Sequence, residues 1–220
     1  MEVEAHFFTT QKTVRYSTYG SDIRRAKYFW FVLHGSKMLS EQMIYKFSDF
    51  DPEEHFVVAP EALHRFYEKN FGGPVVASWM TKRDRDLDIQ DNGEYLSKLY
   101  TQFTNRLPED AQKIILGFSQ GGIIAYRWLH RHSIDVDAFI PYACGAPEDI
   151  DLSEAKTSLS TLPTYQTYGT SDQFLTPKRI EMVKNILAKN KLSTKMYPYA
   201  GDHRIDRNHL KKLFNDHINI

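Results

Sequence analysis

The residues best suited to do chemistry in this sequence surround Ser119. The segment 117–121 reads GFSQG and matches Gly-x-Ser-x-Gly, with an apolar run before it and a helical pattern after it. In that setting the serine occupies a sharp strand-to-helix turn, where small neighbours relieve crowding and the hydroxyl projects over the sheet. The N-terminus of the following helix also favours developing negative charge. The segment therefore predicts a nucleophilic serine, the alternative being an ordinary glycine-rich turn.

A histidine must accept the proton of Ser119, and a carboxylate must orient that histidine, because a free serine hydroxyl is a poor nucleophile. His203 is preferred, since it directly follows the last predicted strand and leads toward the terminal helix. His209 lies inside that helical pattern and fits the role less well. His130 and His132 close the helix after the serine, where a histidine more simply contacts the helix dipole. The alternative for His203 is a polar loop histidine.

The preferred acid is Asp172, which stands between a predicted strand and the proline that opens the next helix. Its alternative role is a helix cap or a turn aspartate. Glu148 and Asp149 follow the preceding strand and are the reserve candidates. Asp202 is less suitable, because its side chain and that of the adjacent His203 tend to point apart.

Strands and helices that would position these groups alternate along the chain. Apolar runs predict strands at 28–33, 55–59, 113–118, 137–143, 163–169 and 194–199, and helical patterns lie at about 39–49, 86–106, 120–132, 177–190 and 206–218. Alternating residues on either side of a polar turn near Thr10 and Gln11, from Glu2 onward, predict an exposed hairpin. We therefore expect an α/β fold, with a mostly parallel central sheet, an N-terminal antiparallel hairpin and helices on both faces. Active groups of such a sheet lie beyond the carboxyl ends of its strands.

After the hairpin, most of the chain resembles the α/β-hydrolases, and more closely the phospholipase/carboxylesterase family that includes acyl-protein thioesterases. The segments that carry the resemblance are LHG at 33–35, AP at 59–60, ASWM at 77–80, GFSQGG at 117–122, GTSD at 169–172 and GDH at 201–203. The resemblance implies a catalytic triad of Ser119, Asp172 and His203. It also implies an oxyanion hole made by the backbone amides of Ser36 and Gln120.

Two departures from the family pattern bear on substrate preference. The family usually continues Gly-Leu-Gly-Asp where this chain has GSKM at 35–38, and the acid loop DQFLTP at 172–177 is one residue longer before its proline. His34, directly before the first of these regions, is expected to be a hydrogen-bonded structural histidine that shapes the loop.

The segment 61–83 is too long for an ordinary connection and is a candidate pocket loop. Its apolar side chains are candidates for binding an acyl group: Phe66, Tyr67, Phe71, Trp79 and Met80. The alternative is aromatic packing that pins a long loop. Only about 20 residues separate the strands that end near 143 and begin near 163, so we expect no large separate cap.

Composition narrows the class of protein. The 220 residues predict one domain over 1–220, and 28 basic residues balance 28 acidic ones, which argues against nucleic acid as a partner. No apolar stretch approaches the ~20 residues of a membrane span, so stable membrane insertion is not expected. The start of the chain does not resemble a secretory signal. Cys144, the lone cysteine, is predicted to be a buried hydrophobic residue and not a nucleophile, and a single cysteine suits a reducing compartment. We therefore expect a cytoplasmic protein.

These features together predict a serine carboxylic ester hydrolase that cleaves short- or medium-chain acyl esters through an acyl-enzyme on Ser119. Its partner would be a small-molecule ester, and neither a cofactor nor a metal is expected, since no spacing of ligand residues such as His-Glu-x-x-His occurs. The alternatives are an acyl thioesterase or lysophospholipase, which would use the same groups, and a catalytically silent ligand-binding protein of the same fold.

Overall fold

A computed structural model describes residues 3–218 of the chain. The strands are Tyr16–Tyr19 (β1), Tyr28–Leu33 (β2), His55–Pro60 (β3), His64–Tyr67 (β4), Val75–Ser78 (β5), Gln112–Phe118 (β6), Ala138–Tyr142 (β7), Thr164–Gly169 (β8) and Thr194–Tyr199 (β9). The α-helices are Ser40–Ile44 (α1), Arg85–Thr104 (α2), Gln120–Arg131 (α3), Pro177–Lys189 (α4) and Arg207–Leu213 (α5), and α5 continues as a π-helix over Phe214–Ile218.

Seven of the strands form one sheet in the order β1-β3-β2-β6-β7-β8-β9. β1 pairs antiparallel with β3, and the other neighbours pair parallel. The predicted fold class, a mostly parallel α/β sheet, is confirmed. In this arrangement the carboxyl ends of β6, β8 and β9 point to one edge of the sheet, and the polar residues that follow them lie there.

Both faces of the sheet are covered, because its central strands are apolar at consecutive positions. In β2, Phe29 and Phe31 pack into one hydrophobic cluster, whereas Trp30 and Val32 pack into the other. Helices α2, α3 and α4 contribute buried side chains to the first cluster, and α1 and α5 contribute them to the second. The two layers hold the sheet, and with it the strand ends, in place.

The N-terminal part of the chain differs in detail from the sequence prediction. An antiparallel pair at this end of the sheet fits, but it joins β1 to β3, and residues 3–15 form no strand. Val3, Phe7 and Phe8 are exposed, so the alternating pattern there has no buried face to turn toward the core. Glu2, the first residue of the predicted hairpin, lies outside the described residues.

The sequence predicts a long loop at 61–83, but the structure has a second small sheet within this segment. β4 pairs antiparallel with β5, from His64 opposite Ser78 to Tyr67 opposite Val75. The side chains of β4 are exposed, so the segment lacks the apolar face that marks a strand in sequence. Nowhere between residues 3 and 218 is there a helix long and apolar enough to cross a membrane.

Candidate active site

Ser119 lies at the turn between β6 and α3, in a strained backbone conformation. Its φ is 52°, in the left-handed region that non-glycine residues rarely adopt, and its amide donates to the carbonyl oxygen of Tyr142 at 2.9 Å. A Cβ atom on Gly121 would lie 2.4 Å from the carbonyl oxygen of Leu33. A Cβ atom on Gly117 would come equally close to backbone, at 2.5 Å. The turn therefore requires glycine at both positions, and the structure places Ser119 where the sequence predicted it.

The side chains of Ser119, His203 and Asp172 form a continuous series of hydrogen bonds. Oγ of Ser119 is 3.0 Å from Nε2 of His203, and Nδ1 of His203 is 2.7 Å from Oδ2 of Asp172. The other oxygen of Asp172 accepts from the amides of Phe174 at 2.7 Å and Leu175 at 3.1 Å. These donors offset the cost of burying the carboxylate, whose side chain is 0% exposed. A nucleophile, a base and an orienting acid are thus within reach of one another.

Two tyrosines hold the loop that carries His203. The hydroxyl of Tyr199, at the end of β9, donates to the carbonyl oxygen of Asp202 at 3.1 Å. The hydroxyl of Tyr142, at the end of β7, accepts from the amide of Asp206 at 3.1 Å. Burial raises the pKa of Tyr142 far above its ordinary value, so this hydroxyl stays protonated and neutral. Groups on both sides of His203 are therefore fixed to the central sheet.

Two aromatic rings contact the imidazole of His203. The ring centroid of Phe118 lies 5.2 Å away and that of Phe174 lies 4.7 Å away, the latter at 72° to the imidazole plane. Phe118 is 6% exposed, whereas Phe174 is 50% exposed. Sequence reasoning did not identify Phe174. The available signal was the extra residue between Asp172 and the proline that opens α4.

The two residues whose amides were predicted to bind the oxyanion follow different strands of the central sheet. Ser36 lies in the exposed turn after β2, and Gln120 is the first residue of α3. The side chain of Gln120 accepts from the amide of Trp79 at 2.9 Å and the hydroxyl of Ser78 at 3.1 Å, and it donates to the carbonyl oxygen of Met80 at 2.9 Å. Gln120 thereby fixes the end of β5 beside the serine turn.

His34 has the structural environment that the sequence predicted. Its Nε2 accepts from the amide of Ala62 at 3.0 Å, so Nδ1 carries the proton and donates to the carbonyl oxygen of Gly35 at 2.7 Å. Burial lowers the pKa of His34 to about 4. Its own carbonyl oxygen accepts from the indole of Trp79 at 2.7 Å. A neutral His34 thus connects the end of β2 to the chain beyond β3.

The five candidate acyl-binding residues occupy different environments. Trp79 is completely buried, and its indole donates to the carbonyl oxygen of His34. In this structure it is therefore a core residue and not the predicted pocket wall. Met80 is partly buried against the same core cluster. Phe66 and Tyr67 are exposed on β4, and Phe71 is fully exposed beyond it. The exposed aromatic surface therefore belongs to the β4–β5 hairpin.

The reserve acids do not reach His203. Asp149 makes ion pairs with Arg127 of α3 at 2.5 Å and with Arg85 of α2 at 2.8 Å, and the hydrogen bond from Arg127 lowers the pKa of its carboxyl. Glu148 is exposed. Asp149 therefore has a structural role in joining α2 and α3, which leaves Asp172 as the acid beside the histidine.

Other candidate groups of the chain are not part of this series of hydrogen bonds. Among residues 3–218, no group of three or more His, Cys, Asp and Glu side chains is arranged to hold a metal ion. Cys144 is buried, and burial raises the pKa of its thiol well above the usual value, which disfavours the reactive thiolate. A cleft of about 410 Å³ is lined by residues of 133–137 and 156–163, which precede β7 and β8. It lies at the opposite edge of the sheet from Ser119.

Comparison with known proteins gives a family and a set of similar structures. Residues 40–220 match the family described as phospholipase/carboxylesterase. Comparison with curated protein sequences gives no match. Acyl-protein thioesterase 2 of Zea mays is similar in structure (TM-score 0.71, 16% identity, covering 91% of this chain and 96% of that chain). A phospholipase/carboxylesterase of Dyadobacter fermentans is also similar (TM-score 0.69, 17% identity, covering 94% of this chain and 98% of that chain). So is the esterase PE8 (TM-score 0.68, 21% identity, covering 95% of this chain and 100% of that chain). At these identities the likeness shows a shared fold.

Proposed function

Since the chain belongs to the phospholipase/carboxylesterase family of α/β-hydrolases, we propose that it is a serine carboxylic ester hydrolase acting on short- or medium-chain acyl esters. The observation that carries the proposal is the series of hydrogen bonds from Ser119 through His203 to Asp172. These three side chains are the catalytic groups of the proposed reaction, and the backbone amides of Ser36 and Gln120 are its oxyanion donors.

In the first half-reaction, Oγ of Ser119 attacks the acyl carbonyl carbon while its proton moves to Nε2 of His203, 3.0 Å away. The carbonyl oxygen becomes an oxyanion that accepts from the two amides, which are held in place before the reaction begins. When the tetrahedral intermediate collapses, the bond from carbon to the alcohol oxygen breaks. His203 then returns the proton to that oxygen, and the acyl group remains on Ser119.

The second half-reaction repeats these steps with water. His203 takes a proton from water, the resulting hydroxide attacks the acyl carbon, and the ester bond to Ser119 breaks. The proton returns to the serine oxygen, and the carboxylic acid leaves. Asp172 remains ionised throughout and stabilises the imidazolium that forms twice in each cycle. Its three hydrogen-bond donors support that role, because they favour the charged carboxylate in a buried position.

Support for short or medium acyl chains comes from the surroundings of the serine. Trp79 is packed into the core, so the exposed aromatic side chains among the five predicted acyl-binding residues are those on the β4–β5 hairpin. A long acyl chain gains binding energy only where apolar surface covers it along its whole length. We therefore expect an acyl site that is filled by a short or medium chain.

A fluorophosphonate probe tests the proposal, because it forms a covalent bond with an activated serine. Wild-type protein should be labelled on Ser119 and should hydrolyse p-nitrophenyl butyrate. Ser119→Ala should fold normally yet lose labelling and nearly all turnover. Ser158→Ala is the matched control, since Ser158 is an exposed serine beside the cleft at the opposite edge of the sheet. Turnover by a folded Ser119→Ala protein at the wild-type rate would refute the assignment.

The same assay separates the neighbouring functions. The structural similarity to an acyl-protein thioesterase makes thioesters the first alternative to test. Turnover of an ester and a thioester that carry the same acyl group, measured side by side, gives the preference between the two bonds. A folded wild-type protein that neither reacts with the probe nor hydrolyses either substrate would instead be a ligand-binding protein.

A further inference from the structure

We propose that Phe174 is a specificity-determining residue for the alcohol half of the substrate, and that its ring selects esters of aromatic alcohols over those of small aliphatic ones. The inference rests on the proposed function, because it concerns the group that His203 protonates. It also gives a role to the extra residue in the loop after Asp172. The reaction at the acyl group does not explain that residue.

The position of the alcohol follows from the position of the proton. His203 donates from Nε2, so the alcohol oxygen must come within hydrogen-bond distance, about 3 Å, of that atom when it leaves. In the proposed reaction, the carbonyl oxygen of the same substrate is held by the amides of Ser36 and Gln120. The substituent on the alcohol oxygen therefore lies on the imidazole side of the site, while the acyl group is bonded to Ser119.

Phe174 is the aromatic ring that such a substituent can reach. Its centroid is 4.7 Å from that of the imidazole, so the two rings are in direct contact. Phe118 also contacts the imidazole but is 6% exposed, whereas Phe174 is 50% exposed. The exposed part of the Phe174 side chain is thus an apolar surface beside the imidazole that donates the proton, and an aromatic alcohol would cover it.

The Phe174 backbone is held at both ends of the residue. Its amide donates to Oδ1 of Asp172 at 2.7 Å, and its carbonyl oxygen accepts from the guanidinium of Arg179 in α4 at 2.9 Å. Aromatic recognition loses less entropy when the ring is already in place. The same carboxylate that orients His203 therefore also fixes the residue that we assign to the leaving group.

The experiment compares benzyl acetate with methyl acetate, whose alcohols have similar acidity and whose acyl groups are the same. In wild-type protein, kcat/KM should be higher for the benzyl ester. Phe174→Ala should reduce the ratio of benzyl to methyl kcat/KM by roughly threefold to tenfold, the range that an aromatic pair supplies. Phe174→Tyr, which keeps the ring, should retain the wild-type ratio. Phe8→Ala makes the same chemical change at an exposed phenylalanine remote in sequence from the site and should not alter it.

The ratio distinguishes specificity from a merely structural role. If Phe174 only steadies His203, its loss would lower turnover of both esters equally and leave the ratio unchanged, which would overturn the proposal. Phe174→Leu keeps the apolar volume and provides the test if the alanine variant unfolds; it too should lower the ratio. Probe labelling of Ser119 is measured in parallel. A labelled, active enzyme with an unchanged ratio refutes the inference alone, whereas loss of labelling in wild-type protein refutes the proposed function beneath it.

Discussion

Replacing the acid by its amide is the sharpest test of the hydrogen-bonded series. In Asp172→Asn the remaining carbonyl oxygen can still accept from the amides of Phe174 and Leu175, so the local backbone keeps its partners. The new NH2 group would then face Nδ1 of His203 across the present 2.7 Å contact. Two donors cannot share that contact, so the imidazole must place its proton on Nε2, where it cannot accept the proton of Ser119.

The expected loss follows from that change of tautomer. An equivalent substitution in serine hydrolases that use this chemistry lowers kcat by about 10⁴, or about 5.5 kcal/mol of transition-state stabilisation. Stability should change little, because the substitution alters one partner of a site that keeps its backbone donors. Steady-state hydrolysis of p-nitrophenyl butyrate and thermal unfolding, measured on the same preparation, report the two effects separately.

Asp149→Asn is the matched control, since it makes the same chemical change at one of the two reserve candidates for the acid. It removes the charge opposite Arg127, a guanidinium that is 5% exposed, while the Asp149 side chain itself is 43% exposed. Partial exposure reduces the cost of breaking such a pair to about 1–2 kcal/mol, or a Tm lower by about 2–8 °C. Activity at 25 °C should be unchanged. A folded Asp172→Asn enzyme within tenfold of the wild-type rate, or a larger loss of kcat in Asp149→Asn, would show that the reasoning is wrong.

Two further predictions concern stability and substrate range. Burial lowers the pKa of both His34 and His55 from 6.5 to about 4. The unfolded chain therefore binds more protons as pH falls below 6.5, and the free energy of unfolding should drop by about 2 kcal/mol for each residue between pH 7 and pH 5. Urea denaturation at the two pH values measures this, and equal stabilities would contradict it. For p-nitrophenyl esters from acetate to palmitate, kcat/KM should rise, by up to about 0.8 kcal/mol per methylene, and then level off at medium length; a continuous rise to palmitate would favour the lysophospholipase alternative.

The central sheet could be predicted from sequence because its strands are buried on both sides. Consecutive apolar residues at 28–33 and 113–118 have few alternatives to a covered parallel strand, and the structure has β2 and β6 at these places. The polar residues after β6, β8 and β9 could then be grouped by topology alone. This grouping predicts that Ser119, Asp172 and His203 lie close together, and the structure shows the hydrogen bonds that join them.

The remaining differences arise where local pattern and tertiary contacts disagree. The alternation around Phe7 resembles a strand, but no neighbouring strand covers it, and residues 3–15 stay unpaired in the sheet. Strand β4 shows the opposite case, since its four residues are all exposed and yet pair with β5. The sequence around Trp79 predicts a pocket residue, but its indole donates to the buried carbonyl oxygen of His34 and lies in the core. Contacts of this kind, like that of Phe174 with His203, depend on residues far apart in the chain.

The side chain of Gln120 has a consequence for how the protein can diversify. By bonding to Ser78, Trp79 and Met80, it anchors the returning end of the hairpin next to the reactive serine. The exposed turn at 68–74 can vary in length and composition without displacing the serine, because Val76 and Ala77 of β5 stay buried and keep the hairpin in place. Replacing the turn at 68–74 by one of different length and composition should therefore change the acyl preference while the intrinsic reactivity of the serine is preserved.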